Sequence, residues 1–201
     1  MENIFFKPWV GKNYHTGGIF KKKILVVGES HYCGGCNECG LKYSPECDEL
    51  TTTGVMEFYL AGNTDTWTPT FKKFERSLVN KETTLEESRD IWNSIAFFNF
   101  LQVAMNGSRQ AGRHEDYVEG QKALSEVVDE LQPDLIIVWG VTRMYQYFPS
   151  EGWIPGEEIN IDGYNLKNGY YKTKGTKVVF VYHPSTGYEW DWWYEALAPF
   201  L

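Results

Sequence analysis

Nowhere in the 201 residues is there an apolar run of about 18, the length a membrane-crossing helix needs. The opening MENIFFKPWV also lacks a charged start followed by an apolar core, the mark of a secretion signal. A cytoplasmic protein with no membrane partner is therefore expected. A basic surplus is missing too: 19 Lys and Arg stand against 27 Asp and Glu, for a net charge of -8. Binding to a phosphate backbone rests on neutralisation by Lys and Arg. An overall basic nucleic-acid coat is thus excluded, and any nucleic-acid role needs a local basic face. Internal repeats, low-complexity tracts and linkers are absent, so one domain over residues 1–201 is expected, long enough to bury a core without staples. Cysteine is scarce, at four residues, and all four fall in one stretch.

Aromatic residues, by contrast, make up 16% of the chain, and Trp190, Trp192 and Trp193 sit together with Tyr188 and Tyr194. Such a cluster is expected to cover a surface or a pocket as well as core. Four short apolar runs stand out at Ile24 to Val27, Ile95 to Phe98, Leu135 to Trp139 and Val178 to Tyr182. They lack strict alternation, which predicts strands buried on both faces, as in a parallel sheet. Between the second and third run, Tyr117, Leu124, Val127, Val128 and Leu131 share one helical face, and Pro133 marks the helix end. Shorter helices are predicted over Thr70 to Val79, Val141 to Phe148 and Trp190 to Leu197. Strand and helix alternate, so the expected class is α/β, three layers of α/β/α around a central four-stranded parallel sheet. The stretch 157–175, with Asp162-Gly163, Asn168-Gly169 and alternating Ile159, Ile161 and Tyr170, reads as an inserted antiparallel ribbon.

In open α/β sheets the ligand sits at the carboxyl ends of the parallel strands. The residues just after the runs are polar and specific: Gly28-Glu29-Ser30-His31-Tyr32, Asn99, Trp139-Gly140 and His183-Pro184-Ser185. Each has an ordinary reading as well. Gly28 reads equally as a strand-end turn, Glu29 as a partner of a nearby Arg or Lys, Asn99 as a strand-end cap and Trp139 as core.

Taken together and in order, these segments resemble the uracil-DNA glycosylase superfamily. ILVVGESHY occupies the place of that family's GQDPY motif, IAFFNFLQ that of the strand ending in a base-reading Asn, LIIVWGVTRMYQ that of its LLWG strand and VVFVYHPSTGY that of its HPSP loop. No single piece is specific, whereas the ordered set of four is. The resemblance implies a DNA-repair hydrolase of N-glycosidic bonds acting on a flipped uracil-type base in DNA or in a smaller nucleotide. His183 would be the catalytic donor to the base carbonyl. Asn99 would read the base edge through an amide that offers both donor and acceptor. Tyr32 would close one wall, Gly28 would let backbone approach the ligand, and His31 and Ser185 would line the same pocket. The departure is Ser30, where the family pattern has a carboxylate that activates water and supports the cationic sugar. A Ser hydroxyl carries no charge to do either. Glu29 is the adjacent carboxylate, and His31 replaces a proline.

Cys33, Cys36, Cys39 and Cys47 read C-x2-C-x2-C-x7-C directly after the first motif, with Gly34, Gly35 and Gly40 allowing tight turns. Such crowding suggests metal before disulfide, structural zinc first and an iron–sulfur cluster or free thiols as alternatives. Three function classes stay open: a glycosylase-like enzyme, a degenerate binding module for nucleic acid or nucleotide, and an unrelated hydrolase with Glu29 and His183 as acid–base pair. The basic residues expected near the rim are Lys72, Lys73, Arg76, Arg109, Arg113 and Arg143. Their clustering around the pocket would favour nucleic acid; scatter would favour a small ligand.

Overall fold

In the computed structural model of the chain, residues 2–32, 51–105, 107, 109–172 and 175–201 are described. The four cysteines and the loop expected at 33–47 lie outside them. The strands are β1 (Trp9–Val10), β2 (Ile24–Gly28), β3 (His31–Tyr32), β4 (Ile95–Asn99), β5 (Ala104–Met105), β6 (Leu135–Trp139), β7 (Trp153–Pro155), β8 (Ile159–Ile161), β9 (Tyr164–Leu166), β10 (Asn168–Tyr171) and β11 (Lys177–Val181). The helices are α1 (Thr51–Leu60), α2 (Thr68–Val79), α3 (Leu85–Ser94), α4 (His114–Leu131), α5 (Arg143–Tyr147) and α6 (Trp190–Leu197).

All four apolar runs form strands, lying side by side in the order β4-β2-β6-β11 and running parallel. Apart from Lys177 every residue in them is buried, so both faces are covered and the sequence shows runs instead of alternation. The sheet is larger and more mixed than the four parallel strands expected. Among the described residues it has seven strands in the order β1-β4-β2-β6-β11-β10-β7, and β1, β10 and β7 pair antiparallel. These added strands are two to four residues long and β10 reads NGYY, too short and too polar to register as apolar runs.

Alternate strand residues feed two cores. Ile24, Val26, Phe97, Ile137 and Val179 pack with residues of α1, α2, α3 and α6; Leu25, Val27, Phe98, Ile136 and Phe180 pack with α4 and α5. On α4 the expected face is buried, and the helix ends at Gln132 in a left-handed conformation (φ 48°) just before Pro133. Helix α3 was not anticipated, although Thr84 and Glu87 close a capping box at its start: the Glu87 carboxylate accepts the Thr84 amide at 2.8 Å, and the Thr84 hydroxyl accepts the Glu87 amide at 3.3 Å. Helix α5 is shorter than the span 141–148, and α1 had no sequence expectation at all.

The ribbon at 157–175 is corrected in its second half. Asp162-Gly163, with φ of 50° and 84°, turns β8 into β9 as expected of a two-residue hairpin. Asn168-Gly169, counted with the ribbon, instead lies within β10 in the main sheet. A Cβ on Gly169 would come within 2.5 Å of the Ile154 carbonyl oxygen and the Trp153 ring, so glycine is there for close strand packing. No helix among the described residues is long and apolar enough to cross a membrane.

Candidate functional site

Parallel register aligns the carboxyl ends of the four middle strands: Gly28 pairs with Asn99, Val27 with Val138, and Trp139 with Val181. The segments that follow, 29–32, 100–102, 140–142 and 183–185, therefore leave the sheet from one edge. Beyond β2 the chain stays tied to β4, since Phe100 and Leu101 donate to the Gly28 and Glu29 carbonyls at 2.9 Å.

Gly28 serves a side chain. A Cβ there would fall 2.5 Å from Asn99 Oδ1 and 3.1 Å from the Phe97 ring, so the absence of one lets the Asn99 amide lie against the β2 backbone. The other end of that amide meets His31: Asn99 Nδ2 lies 3.2 Å from Nδ1 and 3.1 Å from Nε2 of the ring. His31 Nε2 also bonds the Thr52 hydroxyl of α1 at 2.7 Å, and the Phe6 ring packs edge-on against the imidazole at 4.9 Å. His31 and Asn99 are both buried. Burial pushes His31 down to about 4, because the charged ring would lose its water, and none of these described neighbours carries a charge.

Glu29 is half-buried and its Oε1 accepts two strong bonds, from the Tyr117 hydroxyl of α4 at 2.5 Å and from Arg143 Nη1 of α5 at 2.7 Å. The anionic oxygen raises Tyr117, after burial the chief cause, and raises Arg143. The pairing with Arg was one of the readings open to Glu29. Among the described residues no hydrogen bond reaches Oε2. Ser30 is half-buried, and Tyr32, expected as a wall, is 44% exposed.

His183 is the most defined of the expected catalytic groups. Its Nδ1 accepts the Ser185 amide at 3.2 Å and lies 2.8 Å from the Ser185 hydroxyl. An amide can only donate, so Nδ1 is the bare nitrogen and the neutral ring carries its proton on Nε2. The ring stands edge-on to Trp139 at 5.6 Å. Burial lowers its proton affinity while the Glu29 carboxylate raises it, so the two groups share one electrostatic neighbourhood. Trp139 itself is core, packed against Phe71, Phe74 and Phe97, and its indole N–H has no partner among the described residues.

Neither a family model nor a curated protein matches this chain.

Three contacts of the cluster were not foreseen from the sequence. Thr52 and Phe6 hold His31, and Gln102 ties the site to the segment Asn3–Phe6. Gln102 Nε2 donates to the Asn99 carbonyl at 2.8 Å, while its Oε1 accepts the Phe5 and Phe6 amides at 2.9 Å each. Gln102 stands inside the segment IAFFNFLQ, and its position three residues beyond Asn99 is the one signal that the sequence offered. Of the six basic residues, Arg143 alone joins the cluster. Arg113 pairs with Asp116 at 2.9 Å, Arg109 is exposed with φ 64°, and Lys72, Lys73 and Arg76 line a separate cavity. Groups of three or more potential metal ligands are absent among the described residues, which exclude the cysteines.

Proposed function

We propose that the strand-end cluster is a nucleobase pocket and that the protein is a uracil-DNA glycosylase-like hydrolase, cleaving the N-glycosidic bond of a flipped uracil-type base in DNA or a nucleotide. The observation that carries the reading is His183, whose Nδ1 is held as acceptor by Ser185 so that Nε2–H is left to donate. During cleavage the departing base gains negative charge and the sugar becomes oxocarbenium-like. A fixed donor aimed at the base carbonyl then stabilises the transition state more than the substrate. Glu29 takes the part for which Ser30 has no charge: Tyr117 and Arg143 hold its Oε1, and Oε2 supports the cationic sugar and orients water. Helices on both faces of parallel strands, with the site at their carboxyl ends, support the three-layer glycosylase-like architecture.

The second reading, a binding module with a degenerate site, is favoured by Asn99, whose amide is already engaged by His31. A base-release assay over uracil, hypoxanthine and xanthine in single- and double-stranded DNA separates the two. Glycosylase action predicts release that falls by roughly 10²-fold in His183→Ala, the scale for losing one oxyanion-type donor. Saturable oligonucleotide binding with no release from any substrate establishes the module instead. Normal turnover by His183→Ala, with loss of activity in Glu29→Gln, would replace both by the acid–base hydrolase. For the loop at 33–47 we propose structural zinc on Cys33, Cys36, Cys39 and Cys47, since four thiolates leave no open coordination position for catalysis. An iron–sulfur cluster uses the same ligands.

A further inference from the structure

A cavity of about 460 Å³ opens beside α2 and α3, and its lining includes Lys72, Lys73, Arg76, Tyr59, Thr68 and Ser88. It shares no residue with the strand-end cluster, and its volume is that of a small-molecule site. Lys72 is fully engaged: its Nζ bonds the Thr83 carbonyl at 2.6 Å, the Ser88 hydroxyl at 3.1 Å and the Glu75 carboxylate at 3.1 Å. Glu75 is completely buried and takes the Tyr59 hydroxyl at 2.8 Å, Trp92 Nε1 at 2.9 Å, the Ser88 hydroxyl at 2.7 Å and the Thr83 hydroxyl. Its charge is balanced by Lys72 inside the network, which leaves Lys73 and Arg76 as the surplus cations of the cavity.

Those cations are poorly served. Lys73 is half-buried and makes no hydrogen bond or ion pair to a described residue. Arg76 meets the 80%-exposed Glu82 carboxylate only at 3.7 Å, and its Nε is buried with no acceptor among the described residues. A chain of net charge -8 has nevertheless placed cations at 72, 73 and 76 on one helix, around one cavity.

We propose that this cavity binds a phosphoryl group. Arg76 supplies a guanidinium whose two terminal nitrogens form a flat fork for two oxygens of an oxyanion, and Lys73 supplies a second charge. Two adjacent cations match a dianion better than a lone carboxylate. The phosphoryl group belongs either to a small phosphate ester or to a nucleic-acid backbone, and the inference stands apart from the glycosylase reading because no residue is shared.

Titration calorimetry on the full chain at low salt tests it, with inorganic pyrophosphate, uridine 5′-monophosphate, a single-stranded oligodeoxynucleotide and malonate as probes. Saturable binding of at least one phosphate probe is expected, weakened about tenfold or more in Lys73→Gln and in Arg76→Gln, the scale of one charged hydrogen bond. Binding of the monophosphate marks a small-ligand site; binding of the oligonucleotide alone marks a backbone contact. Lys73 is half-buried with no hydrogen-bond or ion-pair partner among the described residues, so Lys73→Gln keeps the fold if Arg76→Gln does not, which matching thermal midpoints verify. Absence of saturable binding by all phosphate probes, unchanged affinity in both variants, or malonate binding as tightly as pyrophosphate would overturn the assignment.

Discussion

Acidification should destabilise the protein through His31, a residue expected only to line a pocket. The ring touches Phe6, Thr52 and Asn99, and none of them carries a charge. Burial holds the folded imidazole at about 4, against 6.5 for an ordinary histidine. A histidine lowered on folding contributes stability that is fully present above about pH 6.5 and is lost as the pH falls from there towards 4. At 1.36 kcal/mol per decade the whole effect is about 3 kcal/mol, of which about 2 kcal/mol is gone by pH 5. Urea unfolding at several pH values between 8 and 4 measures this when wild type is compared with His31→Gln. The variant keeps a hydrogen-bonding side chain but cannot titrate, and the carboxylates common to both proteins cancel in the difference. His183 is shifted in the same direction and also cancels. Parallel pH dependences for the two proteins, or a His31 ring titrating near 6.5 by NMR, would refute the reasoning.

Gly28→Ala should destabilise by about 1–3 kcal/mol through collision with Asn99 Oδ1. The cost should shrink in an Asn99→Ala background, and equal costs in both backgrounds would mean that the amide is not what the glycine accommodates. Gly120→Ala inverts the helix rule: alanine is favoured by about 1 kcal/mol in a helix interior, yet its Cβ would lie 2.6 Å from the Phe100 carbonyl oxygen, so the melting temperature should fall. Glu75→Gln should cost about 2–4 kcal/mol in urea unfolding, because an amide nitrogen would face donors already aimed at a carboxylate. Elemental analysis of protein purified without chelator should find about one zinc per chain, and less than about a tenth of an equivalent of zinc and iron together removes the metal proposal.

The parallel strands were legible because burial on both faces leaves continuous runs such as ILVV and LIIVW, whose shortness and β-branched content mark them as strands and not buried helix. Strands β1, β7 and β10 were not, since their stability comes from pairing with neighbours and their two to four residues hold no period of their own. Gly169 was counted with the inserted ribbon, whereas closeness to Ile154 in the main sheet is what calls for glycine there. At the site, sequence placed Gly28, Asn99 and His183 by their position after apolar runs. It could not foresee that Asn99 faces His31, nor that Glu29 is shared between α4 and α5. Those contacts join residues 68, 88 and 114 positions apart, and nothing local encodes them.

Gln102 has a consequence for the order of assembly. Its carboxamide oxygen collects the Phe5 and Phe6 amides across 97 and 96 residues, and Phe6 then covers the His31 ring. Closing such a span directly costs chain entropy that grows with the logarithm of its length. Once β2 has paired with β4, the route from Phe6 to Gln102 shortens to residues 6–24 and 99–102, and closure becomes about 1.4 kcal/mol cheaper. Closure of the strip over the His31 imidazole is therefore favoured once the parallel strands have paired, so the cover of the ring depends on the sheet beneath it.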